Sequence, residues 1–158
     1  MKWNDLAYCA GVIDSDGTIG VKRSTYAMRV VGDAKQTMYS ERVCVRQVEP
    51  QAVTLLHALF GGRFAKAKPS TKKGRALYEW QVTDLNAAKC LLAVLPYLRI
   101  KREQAENCLA LRGLKEKSKK QRVAVGRGHA GGASRSAALS DAMEQAYQRA
   151  KELNHVGI

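Results

Sequence analysis

Small and apolar residues follow a helical period at the start of the chain and an alternating period directly after it. The helical stripe recurs at spacings of three and four residues and comprises Ala7, Ala10, Gly11 and Asp14. Residues at these spacings lie on one face of a helix, and Asn4 or Asp5 is suited to cap its start. From residue 18 onward, apolar Ile19 and Val21 alternate with polar neighbours, which predicts a strand.

The same two periods continue through the rest of the chain. Alternation predicts four strands, over residues 18–24, 38–48, 63–68 and 76–83. Apolar stripes predict helices over residues 50–60, from Asp84 as the cap to Pro96, over residues 99–114, and from Ser136 or Ser140 onward. This order predicts an α+β domain in which helices cover one face of an antiparallel four-stranded sheet and leave the other face bare.

The facing of the third predicted strand stays open. Phe64 would place even-numbered residues toward the core, which would also turn Lys66 and Lys68 inward. Ala65 and Ala67 favour the opposite facing. A β-bulge would reconcile the two patterns.

Basic residues are concentrated in two segments of this 158-residue chain, whose net charge is +13. Residues 18–83 contain twelve Lys or Arg against four Asp or Glu, and residues 113–135 contain seven against one. An excess that is this segregated predicts a polyanionic partner. On the bare face, Arg42 and Arg46 are suited to bidentate contacts with guanine, because a two-stranded ribbon fits the major groove of DNA.

Composition divides the chain into three regions. Residues 1–114 form the predicted core domain, residues 115–135 form a basic linker or arm without periodicity, and residues 136–158 form a C-terminal helix. No apolar stretch approaches the roughly 18 residues of a membrane span, so no membrane partner is expected. Four widely spaced cysteines predict reduced thiols, as in an intracellular protein of the cytoplasm, the nucleoid or an organelle.

The first predicted helix ends in two acids, Asp14 and Asp16, which are followed directly by a glycine. By itself, an Asp-x-Asp-Gly sequence is a weak signal that more often belongs to a turn. Here, however, residues 9–17 align without a gap to the nine-residue signature of the LAGLIDADG homing endonucleases. The chain therefore resembles that family, and similar segments follow along it except over residues 25–36 and 115–135.

The resemblance implies an αββαββα LAGLIDADG fold with a saddle-like sheet, and site-specific double-strand cleavage of DNA with Mg²⁺ or Mn²⁺. It implies that Asp16 is the metal ligand together with the main-chain carbonyl of Ser15, since hard oxygen ligands suit Mg²⁺. It gives Asp14 a structural role at a helix–helix junction. Gln47 and Lys101 match the family's glutamine and lysine near the attacking water, so both are implied to be catalytic with Asp16.

Double-stranded DNA is the partner that the resemblance implies. The predicted DNA-binding residues are polar or basic and come from the predicted strands and the turn between the last two: Lys22, Ser24, Arg42, Cys44, Arg46, Arg63, Lys66, Lys68, Lys72, Lys73, Arg75 and Gln81.

The signature occurs only once in the chain, whereas cutting two strands requires two active sites. A homodimer with an approximately palindromic target is therefore implied. The predicted interface is the stripe formed by Ala7, Ala10, Gly11 and Asp14. A strand of about nine residues spans about 30 Å at roughly 3.3 Å per residue, which matches on the order of nine base pairs per subunit.

Two other functions stay open on the same scaffold. One is an intron maturase, an RNA-binding splicing cofactor whose partner would be its own intron RNA. The other is a DNA-binding regulator that has lost cleavage. The joint presence of Asp16, Gln47 and Lys101 favours the nuclease, because a regulator has no chemical need for that acid.

Overall fold

A computed structural model describes residues 3–27, 35–69, 74–124 and 136–155. Within these ranges, five α-helices accompany a four-stranded antiparallel sheet. The elements in chain order are α1 (Trp3–Asp16), β1 (Gly17–Ala27), β2 (Lys35–Gln47), α2 (Pro50–Phe60), β3 (Arg63–Ala67), β4 (Leu77–Thr83), α3 (Asp84–Val94), a 3₁₀ turn (Leu95–Tyr97), α4 (Arg102–Ala124) and α5 (Ala137–His155). The predicted order of helices and strands is confirmed.

The strands lie in the order β1-β2-β4-β3, so β1 and β3 are the edges of the sheet. Odd-numbered residues of β1 and β2 lie on the helix-covered side, where Ile19 and Val43 are fully buried. Successive side chains of a strand point to opposite faces. The other face carries the even-numbered residues of β1 and β2 and the odd-numbered residues of β3 and β4, and we call it the open face.

The facing of β3 follows from its pairing with β4. Phe64 pairs with Trp80 and Lys66 with Tyr78, and the register runs without a bulge. Directly opposed residues share a face, and Trp80 is fully buried, so even-numbered residues of β3 lie on the helix-covered side. The Lys66 ammonium lies 5.9 Å from the centre of the Tyr78 ring and stays exposed, because β3 is an edge strand.

The main core lies between the sheet and helices α1 to α4. It includes Ile13, Ile19, Val43, Trp80 and Leu91, all of which are fully buried. The Trp80 indole N–H donates a hydrogen bond of 2.7 Å to the Gly61 carbonyl, which ties β4 to the end of α2. None of the helices in the described ranges is long and apolar enough to span a membrane.

A second, smaller cluster packs α5 against α4 and the β1–β2 hairpin. Its buried members are Tyr39, Leu111, Met143 and Ala146. Glu144 of α5 accepts hydrogen bonds from the Tyr39 hydroxyl and the Arg23 guanidinium. The bond from Tyr39 is the main reason that the pKa of Glu144 is lowered. At the start of α5, the Ser136 hydroxyl accepts a hydrogen bond from the main-chain N–H of Leu139, so Ser136 rather than Ser140 is the cap.

Helix α4 runs to Ala124, whereas the sequence predicted an end at residue 114 and a linker thereafter. The extension is rich in Lys, Glu and Gln, which are good helix formers. Because these polar residues form no apolar stripe, hydrophobic periodicity did not predict it. The extended part begins at Lys115, which donates at 3.0 Å to the fully buried carboxylate of Glu41, beside the bond of 2.7 Å that Arg112 donates to the same carboxylate. Residues 125–135 of the predicted arm lie outside the described residues.

Asp84 was expected to cap α3, and this expectation is wrong. Asp84 is instead the first residue of α3, with a positive φ of 54°. Its carboxylate contacts the Lys115 ammonium rather than the helix's own N–H groups. The residue therefore joins α3 to α4.

Candidate active site and nucleic-acid interface

The acids of the signature lie where α1 passes directly into β1. Asp16 ends α1 and Gly17 begins β1. A Cβ atom at residue 17 would lie 2.6 Å from the main-chain oxygen of Ile13 and 2.8 Å from its Cα. Backbone atoms cannot yield to so close an approach, so only glycine permits this direct passage. We call the surrounding group of Asp14, Ser15, Asp16, Gln47 and Lys101 the helix-end site.

Asp14 uses both carboxylate oxygens within its own chain. Oδ2 accepts a hydrogen bond of 2.7 Å from the main-chain N–H of Arg99, and Oδ1 accepts one of 2.9 Å from that of Lys101. Asp14 is 9% exposed. It therefore joins the end of α1 to the segment that leads into α4, as the implied structural role requires. Both carboxylate oxygens are engaged within the chain, and the predicted place of Asp14 in a dimer interface stays a prediction.

Lys101 covers the main-chain carbonyls at the end of α1. Its ammonium donates to the carbonyls of Ile13, at 3.0 Å, and Asp14, and it lies 3.5 Å from that of Ser15. A cation is favourable at a helix C-terminus, where unpaired carbonyls concentrate negative charge. Burial lowers the pKa of Lys101, while the negative charges of Asp14 and Asp16 act in the opposite direction.

Asp16 faces solvent beside the last residue of β2. Its Oδ2 accepts hydrogen bonds from the Gln47 amide at 2.8 Å and from the Ser15 hydroxyl at 3.3 Å. The strand end thus orients an exposed carboxylate. The structure brings Asp16, Gln47 and Lys101 to the same end of α1, although they are far apart in sequence.

The helix-end site offers oxygen donors to a cation, namely the Asp16 carboxylate and the Ser15 carbonyl. No cluster of three or more His, Cys, Asp or Glu side chains suited to a metal occurs in the described part of the chain. This donor set does not suit a closed zinc cage of Cys and His. It fits Mg²⁺, which retains water ligands and is commonly bound by one or two carboxylates together with phosphate oxygens.

The open face gathers more than half of the predicted DNA-binding residues. Those that pairing places on this face are Lys22, Ser24, Arg42, Cys44, Arg46, Arg63 and Gln81. Cys44, Gln81 and Arg63 form one row across three strands. Cys44 is buried at 8% exposure, and burial raises the pKa of its thiol, so it stays neutral among its basic neighbours.

The remaining predicted DNA-binding residues lie elsewhere. Lys66 is on the helix-covered side of β3, which decides the facing that the sequence left open and places this lysine away from the open face. Lys68 follows the end of β3 and is exposed, and Arg75 lies before β4, where its guanidinium is 3.8 Å from the Glu49 carboxylate. Lys72 and Lys73 lie outside the described residues.

Glu79 is an open-face residue that sequence reasoning missed. It lies directly opposite Arg46, and its carboxylate accepts a hydrogen bond from the Arg46 guanidinium. This contact is the main reason that the pKa of Arg46 is raised. The signal was hidden because β2 and β4 are separated by a helix and a strand, so their register could not be read from local alternation.

The small-residue stripe of α1 divides between two environments. Ala10 is fully buried in the core of its own chain, so its predicted place in a dimer interface is wrong. Gly11 is exposed, and a Cβ atom at that position would meet nothing within 4 Å. Ala7 is half-buried, and the neighbouring Tyr8 is 52% exposed. The outer face of α1 therefore runs through Ala7, Tyr8 and Gly11.

No protein-family model matches the sequence, and no curated protein is similar to it. Among solved structures, the chain is similar to the homing endonuclease I-CvuI in complex with its target, at 17% identity and a TM-score of 0.56, covering 91% of this chain and 95% of that one. The archaeal intron-encoded homing endonuclease I-Vdi141I complexed with DNA matches at 14% identity and a TM-score of 0.58, covering 97% and 92%. The I-LtrWI LAGLIDADG homing endonuclease bound to target DNA matches at 14% identity and a TM-score of 0.50, covering 73% of this chain and 39% of that one. These likenesses confirm the predicted fold.

Proposed function

We propose that this chain, which has the LAGLIDADG fold, is a site-specific DNA endonuclease that hydrolyses phosphodiester bonds with a divalent metal ion. The observation that carries the proposal is the exposed Asp16 carboxylate, held by Gln47 at the end of a basic sheet face. A carboxylate beside the phosphates would oppose simple DNA binding. Its position is explained if it would hold a divalent cation that offsets this repulsion, so the maturase and regulator alternatives are not favoured.

The helix-end site divides the chemical work among its residues. Asp16 and the Ser15 carbonyl would hold Mg²⁺ or Mn²⁺, which when bound neutralises phosphate charge and lowers the pKa of a water. Gln47 orients Asp16 through one amide hydrogen, and its amide oxygen is an acceptor suited to a water proton. Lys101, which Asp14 holds in place, keeps positive charge beside the phosphate.

The open face is the proposed surface for reading DNA. Its arginines can contact guanine in the major groove, while lysines at the edges suit phosphates. Arg42 and Arg46 lie on β2, the strand between β1 and β4, and are the proposed base readers.

Two copies of the chain would supply the two active sites that double-strand cleavage needs. The outer face of α1, through Ala7 and Gly11, is the proposed contact because small residues allow two helices to approach closely. A twofold axis there would place both copies of Asp16 near each other and call for an approximately palindromic target. In support, the chain covers 39% of I-LtrWI, which leaves length in that protein for a second such unit.

The test is cleavage of a library of duplexes that contain a randomised 24-base-pair segment. We expect a subset of the library to be cut in Mg²⁺ or Mn²⁺ and left intact in EDTA. Sequencing of the cut products should return an approximately palindromic consensus. Cleavage that persisted in EDTA, or products without any shared sequence, would contradict the proposal.

A further inference from the structure

The last turn of α5 is fastened to β1, an edge of the sheet. The Asn154 amide donates hydrogen bonds to the main-chain oxygens of Ile19, at 3.0 Å, and Ala150, at 2.8 Å. Gly20 allows this close contact, since a Cβ atom there would lie 3.3 Å from the Asn154 amide nitrogen. The end of α5 is thereby held beside the open face.

A groove of about 360 Å³ lies between this turn and the open face. Its polar lining comes from Thr18, Lys22 and Arg42 of the sheet and from Lys151, Asn154 and His155 of α5. None of the described residues that line it carries a carboxylate. Two lysines and an arginine therefore outweigh the partial negative charge at the end of α5, so the groove is positive at neutral pH.

Two features indicate that this charge is available to a ligand. The Arg42 Nε is buried and has no hydrogen-bond partner among the described residues, and a buried donor without a partner is unfavourable. In the described part of the chain, no ion pair involves Lys22, Arg42 or Lys151. The Lys151 ammonium lies 6.0 Å from the centre of the Tyr147 ring, which limits its motion without neutralising it.

We propose that this groove binds a backbone phosphate of the bound DNA, so that α5 extends the DNA interface beyond the sheet. The inference rests on the proposed function. A phosphate is favoured over a base edge because β1 is the outermost strand, where a ribbon lying in the major groove meets the flanking backbone. Phosphate oxygens also supply acceptors for the positively charged side chains of Lys22, Arg42 and Lys151, which line the groove.

The test compares Lys151→Gln with the wild-type protein and with Lys89→Gln, which neutralises an exposed lysine on α3. Binding of the full chain to random-sequence 30-base-pair duplexes is measured across salt concentrations. Loss of one phosphate contact should make the slope of log K against log salt shallower by about 0.9 and weaken Kd by about three- to tenfold at 0.15 M salt. Lys89→Gln should change neither quantity, and Lys151→Arg should restore both.

The outcomes separate this inference from the proposed function. If the wild-type protein bound no duplex DNA, the proposed function would fail and the groove would lose its ligand. If the wild-type protein bound and cut DNA while Lys151→Gln kept the wild-type slope of log K against log salt, only the proposed phosphate-binding site would be refuted. A changed base preference in a binding selection would show base reading instead. Displacement of DNA by inorganic phosphate, beyond that by chloride at equal ionic strength, would indicate a site for a free anion.

Discussion

Asp14 and Asp16 lie two residues apart at the end of one helix, yet their surroundings are opposite. Asp14 is buried, and both of its oxygens accept main-chain hydrogen bonds from the segment before α4. Asp16 faces solvent, and its carboxylate accepts hydrogen bonds from the side chains of Gln47 and Ser15. One acid of the signature is therefore used to hold the fold together, while the other stays accessible to solvent.

The same contrast recurs in two other pairs of nearby residues. Ala10 packs inside its own chain, whereas Gly11 faces outward with open space beyond it. On the open face, Arg46 is held by Glu79, whereas the Nε of Arg42 has no hydrogen-bond partner in the described part of the chain. In each pair, the member with fewer contacts is the one that we propose contacts a second molecule.

Asp16→Asn should have the largest effect on function. The amide cannot hold a divalent cation as a carboxylate does, so we expect cleavage of the selected target to fall below detection. Binding should stay within about tenfold, because the basic open face is unchanged. Cleavage assays and fluorescence anisotropy on the same duplex measure the two quantities, and the thermal midpoint should match that of the wild type. Cleavage at the wild-type rate would remove Asp16 from the metal site.

Asp14→Asn should instead damage the fold. Its side chain would present an NH₂ group to the main-chain N–H of Arg99 or Lys101, leaving that donor unpaired in a buried place. We expect a loss of about 2–3 kcal/mol in the free energy of unfolding, measured by urea denaturation. Asp141→Asn, at an exposed position of α5, is the matched control and should change stability little. Equal stability of the two variants would contradict the contrast between Asp14 and Asp16.

Periodicity was sufficient to predict the elements of the fold, but it could not distinguish surfaces that look alike in sequence. A stripe of small residues has the same sequence pattern whether it packs against the chain's own core, as Ala10 does, or against a second copy of the chain. The extension of α4 beyond residue 114 was missed because the contact at its start, between Lys115 and Glu41, joins distant segments. The facing of Lys66 depended on its pairing with Tyr78, which alternation alone does not specify.

Gly11→Leu tests whether Gly11, the exposed member of the pair formed with Ala10, lies in the proposed dimer interface. A leucine fits the isolated chain, because nothing lies within 4 Å of the new Cβ atom, and it raises helix propensity. Between two closely packed helices it should cost about 1–3 kcal/mol, which is roughly a 5- to 150-fold weaker dimer. Sedimentation equilibrium of the 17.4 kDa chain measures this change.

The matched control is Gly113→Leu, which makes the same substitution at another exposed helical glycine with open space around it. It should leave the dimer unchanged. If Gly11→Leu dimerised as tightly as Gly113→Leu, the interface would have to lie elsewhere than on the outer face of α1.

Glu79→Gln should have the smallest effect, and it tests the contrast between Arg46, which Glu79 holds, and Arg42. Removing the carboxylate releases Arg46 and removes one negative charge from the open face, so binding to random-sequence duplexes should strengthen severalfold, as one extra phosphate contact would allow. At the selected target this gain in affinity should be offset, because a mobile Arg46 distinguishes less well between the correct base and the others. Each good bidentate contact is worth about 1–3 kcal/mol of discrimination against the wrong base. Binding selections on the two proteins should therefore show one relaxed position in each half-site.

If Glu79 itself accepts a hydrogen bond from a cytosine, the target affinity would fall while random-sequence binding still rose, and the preference lost would be for cytosine rather than guanine. The identity of the relaxed base thus decides whether Glu79 positions Arg46 or reads DNA in its own right.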